Sequence, residues 1–70
     1  MIVTNKFREA IKKDEKKMEL ASKLGISYGS LQRWLINDNV KFATLPNIKI
    51  INEVTGLTEE QIFEQEAVNA

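Results

Sequence analysis

The sequence predicts an all-α fold, five short helices packed as one compact domain. Three observations carry that expectation. Apolar residues recur at the i, i+3, i+4 spacing of a helix in several separate stretches. Glycine and proline number only three and one in 70 residues, so little interrupts a helix between them. Good capping residues, Thr4, Ser27 and Thr58, stand just ahead of the apolar runs.

The first helix is expected from about Asn5 to Lys13, capped by Thr4. Phe7, Ala10 and Ile11 share a face, and Lys12 and Lys13 close its last turn, where cations suit the helix dipole. Asp14 and Glu15 then fall in a break. The second runs from about Lys16 to Leu24, with Leu20, Ala21 and Leu24 as its apolar stripe. Gly25 ends it by taking the left-handed conformation. The third follows Ser27 and reaches about Ile36, burying Leu31, Trp34 and Leu35. The turn formers Asn37, Asp38 and Asn39 stop it. Val40 to Thr44 reads as a loop or a short extended stretch, because Val40 and Phe42 alternate with Lys41 and Ala43. Phe42 is its anchor to the core.

The fourth helix starts near Thr44 or Leu45, with Pro46 at or near its first position, where a missing N–H costs nothing. Ile48, Ile51 and Val54 share a face beside Ile50, and Gly56 ends it. The fifth opens with Thr58 and Gln61, three apart, a capping-box pair, and contributes Ile62 and Phe63 to the core. These elements make one domain over residues 1–66, followed by a frayed tail at 67–70, with fraying expected to set in from about Glu66 at the domain's end.

The informative stretch is MELASKLGISYGSLQRWL, residues 18–35. Two short helices meet at a tight turn containing Gly25, and small Ala21 lets them approach closely. Leu20, Leu24, Ile26, Leu31 and Trp34 are apolar at spacings that lock such a pair at a steep angle. This pattern resembles the lambda-repressor-like family, the Cro/C1 or XRE-type helix-turn-helix domains. That family has leucine-alanine, then leucine-glycine-aliphatic-serine, then an aliphatic residue and a tryptophan. The resemblance continues more loosely through LPNIKIINEVTGLTEEQIF and so covers most of the chain. It implies a five-helix fold with the helix-turn-helix at about residues 17–36 and the third helix entering the major groove of DNA.

On that reading Tyr28, Gly29, Gln32 and Arg33 face the groove, since Leu31, Trp34 and Leu35 point inward. Glutamine can pair bidentately with adenine and arginine with guanine, each worth ~1–3 kcal/mol of discrimination. Tyr28 suits a thymine methyl or a phosphate. Ser27 and Ser30 near the helix start, with Lys16, Lys17, Lys23 and Lys41, are candidate phosphate contacts. Trp34 is assigned to the core rather than to base stacking. The chain departs from the family pattern in three places. Lys16 and Lys17 stand where a serine or threonine and a glutamine are usual, Gly29 lies in the first turn of the reading helix, and apolar Ile36 falls on its outward side.

Composition bounds the alternatives. With 43% apolar residues the chain is a folded protein rather than a disordered one. Its net charge is zero but unevenly spread: residues 1–41 carry nine basic and five acidic residues (+4), and residues 42–70 carry Lys49 against five glutamates (−4). One face can therefore meet phosphate while another turns away. Cysteine and histidine are both absent, which removes thiol chemistry and the commonest general base and metal ligand. No Gly-rich phosphate loop is present, so neither an enzyme nor a cofactor or metal is expected. The absence of a long apolar run leads us to expect no membrane segment and a cytoplasmic location.

The expected function is thus sequence-specific binding of double-stranded DNA by a Cro-like repressor, of phage or other mobile-element type, acting as a homodimer. The apolar faces of helices four and five are candidate dimer surfaces. The competing expectation is a protein-interaction module on the same fold that docks on another regulator, favoured by neutral charge, Gly29 and Ile36.

Overall fold

The computed structural model describes residues 2–64. It is all-α, with five α-helices and one 3-10 turn among the described residues. Helix α1, Asn5–Ala10, begins where expected: the Thr4 hydroxyl accepts a hydrogen bond from the Phe7 N–H at 3.1 Å. It ends three residues earlier than its sequence predicts. Ile11 closes it, Lys12 and Lys13 form the connection rather than its last turn, and α2 starts at Asp14 and runs to Leu24. Asp14 and Glu15 therefore occupy the first turn of α2, not a break. Two carboxylates beside the positive end of a helix dipole favour that start.

Gly25 stops α2 at φ 75°, and the N–H groups of Gly25 and Ile26 donate back to the carbonyls of Ser22 and Ala21 at 3.1 and 3.0 Å. That pair of bonds satisfies two carbonyls the helix end would otherwise leave open. Helix α3, Tyr28–Ile36, is capped by Ser27, whose hydroxyl accepts from the Ser30 N–H. After it comes a 3-10 turn at Asn39–Ala43, where the sequence allowed a loop or strand. Phe42 is fully buried there, edge-on to Phe7 (5.5 Å) and to Trp34 (5.3 Å). This aromatic anchoring holds the segment wound inward, whereas Val40, its partner in the apparent alternation, lies exposed.

Helix α4, Leu45–Thr55, has Pro46 in its first turn and ends at Gly56, again at φ 75°. Helix α5, Glu59–Ile62, carries the expected capping box: the Thr58 N–H donates to Gln61 Oε1 at 3.0 Å. The core draws on every element, with Phe7, Ile11, Leu20, Leu31, Phe42, Ile51 and Ile62 all fully buried. Burying a side chain of this size contributes about 1.5–3 kcal/mol, so each helix is held mainly by its inward face.

A feature absent from the expectations closes the molecule. Val3 and Phe63 form an antiparallel β-bridge, with the Thr4 N–H donating to the Ile62 carbonyl and the Glu64 N–H to the Ile2 carbonyl, both at 2.8 Å. The two ends of the described chain thus pair beside α1 and α5. The expected tail from about Glu66, and with it the boundary between residues 1–66 and 67–70, lies outside the described residues. No helix among the described residues is long and apolar enough to cross a membrane.

Candidate nucleic-acid interface

Helices α2 and α3 pack on one another across the Gly25 turn, while α2 also rests on α4. Leu31 and Leu35 anchor α3 in the core, and Trp34 is half-buried at its margin. Helical geometry then turns the other face outward. Gly29 and Arg33 are exposed on it, one turn apart, and the Arg33 guanidinium makes no hydrogen bond or ion pair among the described residues. Tyr28 and Gln32 are half-buried against one another, also one turn apart. Ile36 is 74% exposed at the end of the same face.

The four expected base-reading residues therefore share one surface, but they are not equally free. Tyr28 Oη donates to Asp14 Oδ1 at 3.0 Å, and Gln32 Nε2 donates to Tyr28 Oη at 3.5 Å. The Asp14 carboxylate holds the Tyr28 phenol above its ordinary pKa, first through this hydrogen bond, then through partial desolvation and the nearby negative charge. Sequence reasoning missed Asp14 because it assigned that residue to a break between helices. Nothing local links positions 14 and 28; only the crossing of α2 and α3 does.

The expected phosphate contacts divide in the same way. Ser27 and Ser30 lie together at the start of α3, their hydroxyls 3.0 Å apart. Lys17 is half-buried beside Gln32 and lines a groove between α1, α2 and α3. Lys23 is exposed at the end of α2. Lys41 sits over the Trp34 ring, its Nζ 5.9 Å from the centroid, which leaves the ammonium accessible. Lys16 is directed elsewhere: its Nζ donates to the Val54 carbonyl at 3.4 Å and pairs with Glu19 at 3.5 Å. It thereby ties α2 to the end of α4, away from the other candidates.

The groove that Lys17 lines has a volume of about 280 Å³. Ile11, Leu35 and Ile36 give it apolar walls, and Arg8 and Lys12 join Lys17 as its cations, against one carboxylate, Glu9. Arg8 is positioned by a bond from Nη2 to the Leu35 carbonyl at 2.8 Å, at the C-terminal end of α3 where open carbonyls favour a cation. Neither Arg8 nor Lys12 is among the site residues expected from the sequence: Lys12 reads there only as a last-turn cation of the first helix, and nothing local points to Arg8.

The apolar faces of α4 and α5 expected to offer a dimer surface are mostly occupied by the core: Ile51, Val54 and Ile62 are buried. The open apolar surface lies instead at the start of α4, where Leu45, Pro46 and Ile48 line a depression and Leu45 is 79% exposed. Among the described residues no cluster of three acidic side chains is placed to hold a metal ion. No family model, curated protein or solved structure matches the chain.

Proposed function

We propose that this chain is a sequence-specific DNA-binding regulator built on a lambda-repressor-like helix-turn-helix domain, repressing by occupying an operator in the manner of a Cro protein of phage or mobile-element type. The observation that carries the reading is the two-helix unit α2–Gly25–α3. Its second helix is anchored by Leu31 and Leu35 and offers Tyr28, Gly29, Gln32 and Arg33 on one outward face. A face of this kind, with Lys17 beside Gln32 and exposed Lys23 and Lys41 on the elements before and after α3, suits base edges in a major groove with phosphates nearby. A single module makes few base contacts, so a homodimer on two half-sites belongs to the reading, and the exposed apolar start of α4 supports it as the contact.

The test is selection from a randomised duplex library, followed by binding of the selected operator to variants. Arg33→Ala and Gln32→Ala should each weaken specific binding by about tenfold or more, from the ~1–3 kcal/mol of a lost bidentate base contact, with the melting temperature nearly unchanged. If the library yields no enriched sequence, the reading is wrong; if both variants bind like the parent, the reading face is wrong.

A second reading is favoured by one specific observation, the groove with Ile36 on its wall and Arg8, Lys12 and Lys17 at its rim. An apolar residue so exposed suits a protein partner, another regulator whose acidic segment would meet these cations. A stoichiometric partner on copurification, with no enriched DNA sequence, would decide for it.

A further inference from the structure

The chain Gln32–Tyr28–Asp14 has a direction. A carboxylate only accepts hydrogen bonds, so Tyr28 must donate its one hydroxyl hydrogen to Asp14. The phenol oxygen can then only accept, and Gln32 must turn its amide nitrogen toward it. The orientation of the Gln32 amide is therefore set by a residue on the neighbouring helix. Its Oε1 and the second hydrogen of Nε2 are left for an outside group.

We propose that Asp14, acting through Tyr28, is a positioning residue that commits Gln32 to reading adenine; the proposal rests on the DNA-binding function above. Adenine presents N7 as an acceptor and the N6 amine as a donor in the major groove. The amine meets Gln32 Oε1 and N7 meets the remaining Nε2 hydrogen, so both bonds form with the relay intact. Cytosine supplies only the N4 donor and satisfies Oε1 alone. Guanine presents two acceptors, O6 and N7, and faces Oε1 with no hydrogen to give it. An unconstrained glutamine amide could rotate to accommodate guanine; here that rotation would set a carbonyl oxygen against a phenol oxygen whose hydrogen is already committed.

The experiment is a randomised duplex selection run in parallel with the parent protein, Asp14→Asn, Tyr28→Phe and Gln32→Glu. The parent should enrich adenine at one position by about tenfold over guanine. Asp14→Asn and Tyr28→Phe should lose most of that preference while enrichment persists at positions read by Arg33. Gln32→Glu, which keeps an acceptor and loses the donor, should move the same position toward cytosine. A structural effect of Asp14 would instead lower affinity evenly across sequences. The relay is checked without DNA by ultraviolet titration of Tyr28, the chain's one tyrosine: in Asp14→Asn its ionisation should move down toward that of a free phenol. Guanine at the Gln32-dependent position, an Asp14→Asn profile identical to the parent's, or an unmoved tyrosine titration each overturns the proposal and leaves DNA binding standing. A parent library with no enrichment at any position overturns the DNA reading and the proposal with it.

Discussion

Asn39 makes three hydrogen bonds that join three parts of the molecule. Its Oδ1 accepts from the Val3 N–H at 2.9 Å, and its Nδ2 donates to the carbonyls of Trp34 and Leu35 at 2.7 and 3.0 Å. One side chain thus closes the end of α3 and holds the N-terminal segment. At roughly 1 kcal/mol for each bond in a part-buried setting, Asn39→Ala should cost about 2–3 kcal/mol. Asn39→Asp should cost at least as much near neutral pH, because a carboxylate keeps the bond from Val3 but presents negative charge to two carbonyls. Urea unfolding followed by the fluorescence of Trp34, the one tryptophan, measures both. A loss under about 0.5 kcal/mol for Asn39→Ala would show that these bonds are replaced by solvent. The sequence identifies Asn39 as a turn former and no more, since its partner Val3 is 36 positions away. The caps at Thr4, Ser27 and Thr58 were legible because each donor lies only three residues from its acceptor. Within the candidate site the same division holds: the outward face of α3 follows from helical period, whereas the bond from Tyr28 to Asp14 depends on how two helices cross.

At the scale of elements, two glycines separate backbone need from packing. Gly25 holds φ 75° with nothing within 4 Å of where a Cβ would stand, so Gly25→Ala meets only backbone strain, about 1–2 kcal/mol of destabilisation. Gly29 is helical, and its added Cβ would touch only Ser27 Oγ at 3.9 Å, an ordinary contact. Gly29→Ala should therefore stabilise the domain by roughly 0.5–1 kcal/mol. Yet it sits on the proposed reading face, where a bare backbone permits close approach. The expected outcome for Gly29→Ala is a higher melting temperature together with weaker operator binding, a combination that loss of folding cannot produce. Equal or tighter binding would mean that no group approaches the backbone there. All five helices were legible from capping and period, and their boundaries less so. The break between α1 and α2 was misplaced because Asp14 and Glu15 read as breakers rather than as the acidic first turn they form. The 3-10 turn was hidden because Val40 and Phe42 mimic alternation, while the packing of Phe42 between Phe7 and Trp34 is a tertiary fact.

At the scale of the whole molecule, charge is divided along the chain, and the fold decides which cations remain available. Lys17, Lys23 and Lys41 flank or adjoin α3, and Arg33 lies on it, whereas Lys16 is committed to the carbonyl of Val54 and to Glu19. By sequence alone Lys16 and Lys17 are equivalent neighbours. DNA binding through the three phosphate-directed lysines, Lys17, Lys23 and Lys41, would make the logarithm of affinity fall with the logarithm of salt concentration at a slope of roughly −2 to −3 per protomer, doubled in a dimer on two half-sites. Removing one such cation lowers that slope by about one per protomer. Lys17→Gln should do so, and Lys16→Gln should leave the slope unchanged, because its ammonium already faces α4. Fluorescence anisotropy of a labelled operator at several salt concentrations measures all three proteins. Equal slopes for Lys16→Gln and Lys17→Gln, both shallower than the parent's, would show that Lys16 leaves Val54 to meet a phosphate. A slope near zero in the parent would remove phosphate contact from the interaction and leave the groove beside Ile36 as the surface to pursue.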